Sequence, residues 1–204
     1  MKRICTLAIL ALTLCAPATF AASGGEWIGG GQAGVHIPTG DYGDIFKTGF
    51  VGGVFLDYMV SDYFGIGANA DYHATKAQDE YVVFPVTDFN FTILNYGVHG
   101  DGYLIKQGVA RPYVTAGLGA YSGKTEVKSA GVTNKDTETK FGFDVGAGLK
   151  LQPAGSPVGV GVEGAFHNIT DAFTDENNNK KSATLFTVTA RVSFSFSDVT
   201  QKKY

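Results

Sequence analysis

From Phe186 to Phe196 the chain alternates without a break. Phe186, Val188, Ala190, Val192, Phe194 and Phe196 are apolar; Thr187, Thr189, Arg191, Ser193 and Ser195 between them are polar. A period of two places successive side chains on opposite sides of a β-strand, so the segment has one oily and one wet face. One such strand fits many folds, and the constraint comes from recurrence. The same face reads Trp27, Gly29, Gly31, Ala33, Val35, Ile37 in a first strand and Phe50, Gly52, Val54, Leu56, Tyr58 in a second. A third has Phe64, Ile66, Ala68, Ala70, Tyr72, a fifth Val114, Ala116, Leu118, Ala120, a sixth Phe141, Phe143, Val145, Ala147, Leu149, Leu151, and a seventh Val158, Val160, Val162, Phe166. The fourth, with Leu94, Tyr96 and Val98, is interrupted by Phe89 and Phe91 at the opposite parity, which predicts a bulge or loop start near Thr92–Ile93.

The connections set the topology. Short ones fall at Ser61–Tyr63, Ile105–Arg111 and Pro153–Pro157; long polar ones fall at Pro38–Thr48, Ala74–Asp88, Gly123–Thr139 and Thr170–Ser182. Short turns on one side and long loops on the other are the asymmetry of an outer-membrane barrel. The N-terminus agrees. Met1-Lys2-Arg3 is basic, Ile4 to Cys15 is apolar, and Thr19-Phe-Ala21 offers small residues for cleavage, so residues 1–21 are expected to be a signal peptide and 22–204 one barrel domain. Leu14 before Cys15 argues against lipidation. Both cysteines lie in that leader, which removes disulfides, thiol nucleophiles and thiolate metal sites from the mature chain. Without Lys2 and Arg3 the 16 basic residues fall to 14 against 19 acids, a net charge of −5, so nothing in the composition suggests a nucleic-acid partner and none is expected. No later run is long and apolar enough for a membrane helix, so any crossing must be made by a closed barrel. The expected fold is therefore all-β: an eight-stranded antiparallel up-and-down transmembrane β-barrel with periplasmic termini and extracellular long loops. Trp27, Tyr58, Tyr103 and Phe194 are expected in one aromatic girdle and Phe50, Tyr72, Phe141 and Phe166 in the other. A soluble calyx, with the apolar face inward, is the competing fold.

Specific segments then resemble a known family. Gly34-Val-His-Ile-Pro-Thr-Gly-Asp-Tyr-Gly-Asp44 with Thr48-Gly-Phe50, and Pro112-Tyr-Val-Thr-Ala-Gly-Leu-Gly-Ala-Tyr121, resemble the first strand and loop and the fifth strand of small bacterial outer-membrane β-barrel proteins. Arg191-Val-Ser-Phe-Ser-Phe196 is similar to their aromatic-ended closing signal. The opacity-type proteins and the OmpA/OmpX-type barrels belong to this group. The resemblance implies the bacterial outer membrane, outer-membrane lipid around the wall, and contact with the barrel assembly machinery through the C-terminal strand. Ser197–Tyr204 extends beyond the aromatic where the family signal often ends. No peptidoglycan-binding domain follows, so cell-wall anchoring is not expected.

The wet face is rich in ionisable groups. Parity points Glu26, Gln32, His36, Asp57, Asn69, Asp71, His73, Asn95, His99, Asp101, Lys140, Asp144, Lys150, Glu163, His167 and Arg191 inward. In a barrel of this size side chains fill the lumen, and buried charges there are expected to pair. Inward glycines such as Gly117, Gly119, Gly146, Gly148, Gly159 and Gly161 are expected to make room for them. All four histidines face inward, and His36, His73 and His167 lie near the outer rim of their strands, where a metal or pH-sensing cluster is the alternative reading; they sit on separate strands with no ligand spacing, so they read as hydrogen-bonded lumen residues, and no metal, cofactor or catalytic residue is assigned. Gly29-Gly-Gly31-Gln-Ala-Gly34 matches a dinucleotide fingerprint but opens no helix. Asp175-Glu-Asn177-Asn-Asn179 resembles a calcium loop but has Lys180 in place of the glycine and Phe186 in place of the closing glutamate. The expected function is structural or surface-interacting, by a monomer with no open pore, through loops that include the apolar Tyr81-Val-Val-Phe-Pro-Val86. A narrow ion or solute channel and an outer-membrane lipid-modifying enzyme are the alternatives.

Overall fold

The computed structural model describes residues 24–78, 86–106, 108–129, 132–153, 155–174 and 180–196. Eight strands form a closed barrel in which each pairs antiparallel with its sequence neighbours and the last closes on the first. They are β1 (Trp27–Thr39), β2 (Gly49–Met59), β3 (Phe64–Lys76), β4 (Val86–Tyr103), β5 (Ala110–Ser129), β6 (Val132–Leu151), β7 (Val158–Thr174) and β8 (Lys180–Phe196), with one short helix, α1 (Asp41–Ile45), after β1. Closure pairs every strand edge, as a lipid-embedded sheet requires.

The alternation is realised as read. Val54, Val98, Leu118, Val145, Val160 and Val192 lie on the exposed outer wall, Val145 at 47% and Val160 at 50%. A calyx would bury these residues, so the apolar face points outward and the competing fold is excluded. The Gly29–Gly34 stretch is a plain part of β1.

Three expectations are corrected. The segment Gly123–Thr139 is not a long loop: β5 and β6 stay paired from Ala110↔Leu151 to Ser129↔Val132. Each is 20 residues long, against 11 for β2. At ~3.3 Å per residue and ~45° tilt, that is roughly 47 Å of height, well beyond a ~25 Å apolar band. β4 is paired to β5 as far as Val86↔Ser129, so the β5–β6 hairpin stands out with β4 along its side, as a three-stranded ribbon. Above the membrane neither face needs to be oily, so the period-two signal disappears while the pairing continues. Second, β4 has no bulge at Thr92–Ile93; its irregularity lies between Val86 and Asp88. Phe91 keeps inward parity because it packs on Phe46, with ring centres 4.9 Å apart, over the barrel mouth. Third, Tyr103 is not a girdle residue. It is buried inside, beside Tyr113 at 5.4 Å. Trp27, Phe50, Tyr72, Phe141, Phe166 and Phe194 do face outward. The leader, the calcium-loop resemblance at 175–179, most of Tyr81–Val86 and the tail 197–204 lie outside the described residues.

Candidate functional site

The inward residues form three layers. A lower apolar cluster joins Ile28, Phe55, Met59, Tyr103 and Tyr113. An upper one joins Tyr42, Ile93, Tyr121, Ile169, Ala183 and Leu185, with Phe46 and Phe91 against it. The polar belt lies between. The lumen is thus not simply a charged plug: apolar lids close it at both ends. Tyr42 reaches the upper lid from α1, so part of that lid is supplied by the first loop.

Charge pairing is strongest at Arg191 (β8). Its guanidinium binds the Glu163 carboxylate (β7) and donates to the Tyr113 hydroxyl (β5) at 2.9 Å; that hydroxyl donates to Glu163 at 2.8 Å. The guanidinium also lies 3.9 Å above the Phe55 ring. Charge-assisted bonds closed into a ring of three residues hold side chains of three strands in one arrangement, and the Phe55 ring adds a fourth strand, β2, by contact. Asp71 accepts from the amides of Gln32 and Asn69, each at 2.5 Å. Asp57 contacts His99 at 3.0 Å, and with Asp101 these three bring their ligand-capable atoms within 4.8 Å of one another. Pairing is incomplete elsewhere: Lys150 Nζ and Asp101 Oδ1 have no hydrogen-bond partner among the described residues. Lys150 lines a small cavity together with Asp57 and Asp101.

The glycines do make room. A Cβ on Gly117 would sit 2.5 Å from Asp144 Oδ2, and a Cβ on Gly148 would overlap the Tyr113 ring. What space remains is small. One cavity of about 30 Å³ lies among Asp71, His73, His99, Asp144, His167 and Arg191, and another of about 20 Å³ lies among Asp57, Asp101, Lys150 and Arg191. They have room for about two waters and one water respectively.

Three of the four histidines converge, which parity alone did not reveal. His36 (β1) and His73 (β3) flank β2, where their register partners are Gly49 and Val51. Gly49 offers no side chain, so the two rings meet across the strand with centres 5.2 Å apart. His167 (β7) lies 5.9 Å beyond His73. His167 is hydrogen-bonded as expected, to the Tyr121 hydroxyl and to the Thr187 hydroxyl, both at 3.1 Å. His36 and His73 are not: neither ring has a partner for either nitrogen among the described residues, at 0% and 1% exposure. His36 and His73 lie equally far from the outer ends of their strands, Thr39 and Lys76. In sequence, the signal for their meeting was that both fall near the outer rim of their strands.

On the turn side, outside the wall, Lys106 Nζ contacts Asp62 at 2.9 Å and the Gly24 amide donates to the same carboxylate at 3.1 Å. The Lys106 bond, then the Gly24 bond, hold the Asp62 carboxyl below its ordinary value of 3.8.

The family model of the outer membrane protein β-barrel domain matches residues 6–194. The chain belongs to that family. It is an outer-membrane protein, and its wall of exposed valine, leucine and phenylalanine faces lipid. Solved structures agree on the fold. Neisserial surface protein A superposes with a TM-score of 0.57 at 17% identity, covering 86% of this chain and 100% of that one. Outer membrane protein OprG from Pseudomonas aeruginosa gives 0.56 at 12%, covering 86% and 98%. Ail, the attachment invasion locus protein of Yersinia pestis, gives 0.51 at 15%, covering 85% and 99%. At these identities the likeness concerns architecture alone. No curated protein matches the chain in sequence.

Proposed function

We propose that this outer-membrane barrel is a closed, non-catalytic scaffold that presents its β5–β6 ribbon and the α1 loop to a partner outside the cell. The observation that carries this reading is the contrast between the two ends of the wall. Packed side chains line the lumen between two apolar clusters, with cavities of about 30 and 20 Å³ among the described residues, while β5 and β6 run on, paired with each other and flanked by β4, to Ser129 and Val132. Binding sites concentrate on such projections from a rigid frame. The ribbon is polar and mixed in sign, with Lys124, Glu126, Asp136, Glu138 and Lys140 along its lower part, which suits a polar, surface-exposed partner. Ail, the attachment invasion locus protein, has a similar architecture. In this reading the barrel is a monomer in lipid, inserted by the assembly machinery through β8.

The channel alternative is disfavoured by the two lids, since ions need a continuous wet path. The enzyme alternative is disfavoured because the Asp57–His99 pair lies inside the lidded lumen, with no serine or threonine hydroxyl bonded to His99 among the described residues. The test is a ribbon deletion joining Gly123 to Thr139 through a two-residue turn. The variant is expected to keep the heat-dependent gel shift of a folded barrel and to lose adhesion of displaying cells to heparin-coated surfaces, the ligand class whose analogue is bound by Ail. Planar bilayers with the full chain should show no discrete steps. Steps, or adhesion unchanged by the deletion, would refute the proposal.

A further inference from the structure

The three convergent histidines raise a question that the scaffold role leaves open. A buried neutral imidazole carries one donor and one acceptor, and leaving these unmet costs free energy. His36 and His73 leave all four ring nitrogens unmet, side by side, in the best-sealed part of the lumen. One unmet ring can be served by a water; two in contact from different strands offer a pair of ligands to one shared partner. We infer that His36 and His73 bind a borderline divalent metal ion of the zinc, copper or nickel type, with His167 as the adjacent third imidazole.

Spacing supports this. An imidazole nitrogen about 2.1 Å from a metal places its ring centre roughly 3 Å away, so two rings on one ion stand about 5–6 Å apart. The centres of His36 and His73 are 5.2 Å apart, within that range; His167, its ring centre 5.9 Å from His73, does not complete a set of three with nitrogens within 4.8 Å of one another, so it joins only by a shift of its ring. His36 and His73 can bind without breaking any hydrogen bond. His167 joins by exchanging its Thr187 bond for the ion while Tyr121 keeps the other nitrogen, and so serves as the orienting partner common to metal-bound imidazoles. The cavity of about 30 Å³ beside His73 and His167 has room for a water to complete the coordination.

Charge favours a cation here. Asp71 and Asp144 line that same cavity, and neither has an ion-pair partner among the described residues. Arg191 lines it too, but its guanidinium is bound to Glu163. Imidazole ligands select zinc, copper and nickel over magnesium and calcium, which take oxygen. The lids exclude exchange with bulk ions, so the metal enters as the barrel closes and leaves slowly. The inference does not depend on what the surface ribbon binds.

The test uses the full barrel refolded in detergent with Zn²⁺ or Cu²⁺, treated with EDTA after folding and passed over a sizing column. Elemental analysis is expected to find about one metal per chain, and the copper form is expected to show nitrogen hyperfine splitting from two or three imidazoles in its paramagnetic resonance. His36→Asn with His73→Asn should lower retention at least about tenfold, while Asp101→Asn retains it. Folding of each variant is read independently by the gel shift. Metal held equally by the histidine variant, metal lost with Asp101→Asn instead, or retention below about 0.1 per wild-type chain overturns the assignment. If the histidine variant does not fold, the wild-type copper spectrum decides, and a signal without nitrogen splitting overturns it.

Discussion

Breaking the Arg191–Glu163 pair from one side only should be the most damaging conservative change in this barrel. Glu163→Gln keeps size and the Tyr113 contact but leaves the guanidinium without its main counter-charge. The side chains are 11% and 13% exposed, so water does little to screen the loss. Removing one partner of a buried pair costs ~3–5 kcal/mol. Asp57 and Asp101, further off, retain some attraction for Arg191, which moves the expectation to the low end, about 3 kcal/mol. That is roughly a hundredfold in the folding equilibrium. Arg191→Met should cost about the same, because it strands Glu163 and removes the cation from the Phe55 face. The double variant Arg191→Met/Glu163→Leu removes both charges and should be no worse than either single, a coupling of about 3 kcal/mol. Urea unfolding in lipid vesicles, followed through the lone Trp27, which is 49% exposed on the wall, measures all three. Singles under about 1 kcal/mol, or single losses that simply add in the double, would refute the claim that this pair is desolvated and interlocked.

Three other outcomes follow from the same geometry. Gly34→Ala should destabilise by about 1–3 kcal/mol, because its Cβ would overlap the Val188 carbonyl of β8, whereas Gly31→Ala, whose nearest contact is Gly53 O at 3.6 Å, should be nearly silent in the same urea assay. Val54→Arg, at the middle of β2 and 61% exposed to lipid, should cost about 2–4 kcal/mol in vesicles; a neutral result would mean that Val54 is not at membrane depth. Asp62 should titrate below 3.8 by NMR and return toward it in Lys106→Met. Because its folded value is the lower one, its small contribution to stability is present above the unfolded value and is lost as pH falls through the folded one. A titration unchanged by Lys106→Met would place the cause elsewhere.

How much was legible follows from which solvent each face meets. Lipid tolerates no polar side chain at mid-wall, so Phe186–Phe196 and its counterparts had to alternate strictly, and eight strands and the inward set from Glu26 to Arg191 could be read from parity. Where that pressure stops, so does the signal. The β5–β6 ribbon above the membrane is wet on both faces, and its residues read as loop though they pair through Ser129↔Val132. Phe91 and Tyr103 broke the rule that inward means polar because the ends of a lumen need lids, and an apolar inward residue is indistinguishable in sequence from a shifted outward one. The meeting of His36 with His73 depended on the register of two strand pairs and on Gly49 between them. Parity fixes a face, but only register fixes a height.

The upper lid ties the two functional readings together physically. Tyr42 belongs to α1 in the first outer loop, yet it is 3% exposed and its ring lies 5.9 Å from His36 and 4.8 Å from Phe46. Phe46 in turn bridges to Ala77 at the outer end of β3. The loop is therefore packed onto the histidine cluster and does not hang free of it. An ion that fixes His36 also fixes the surface against which Tyr42 rests, and so favours one placement of α1 over others. By linkage, a partner that grips α1 in that placement strengthens the hold on the ion by the same factor. A barrel wall that cannot flex leaves this lid as the element through which an event at the cell surface and an occupant of the sealed lumen can affect each other.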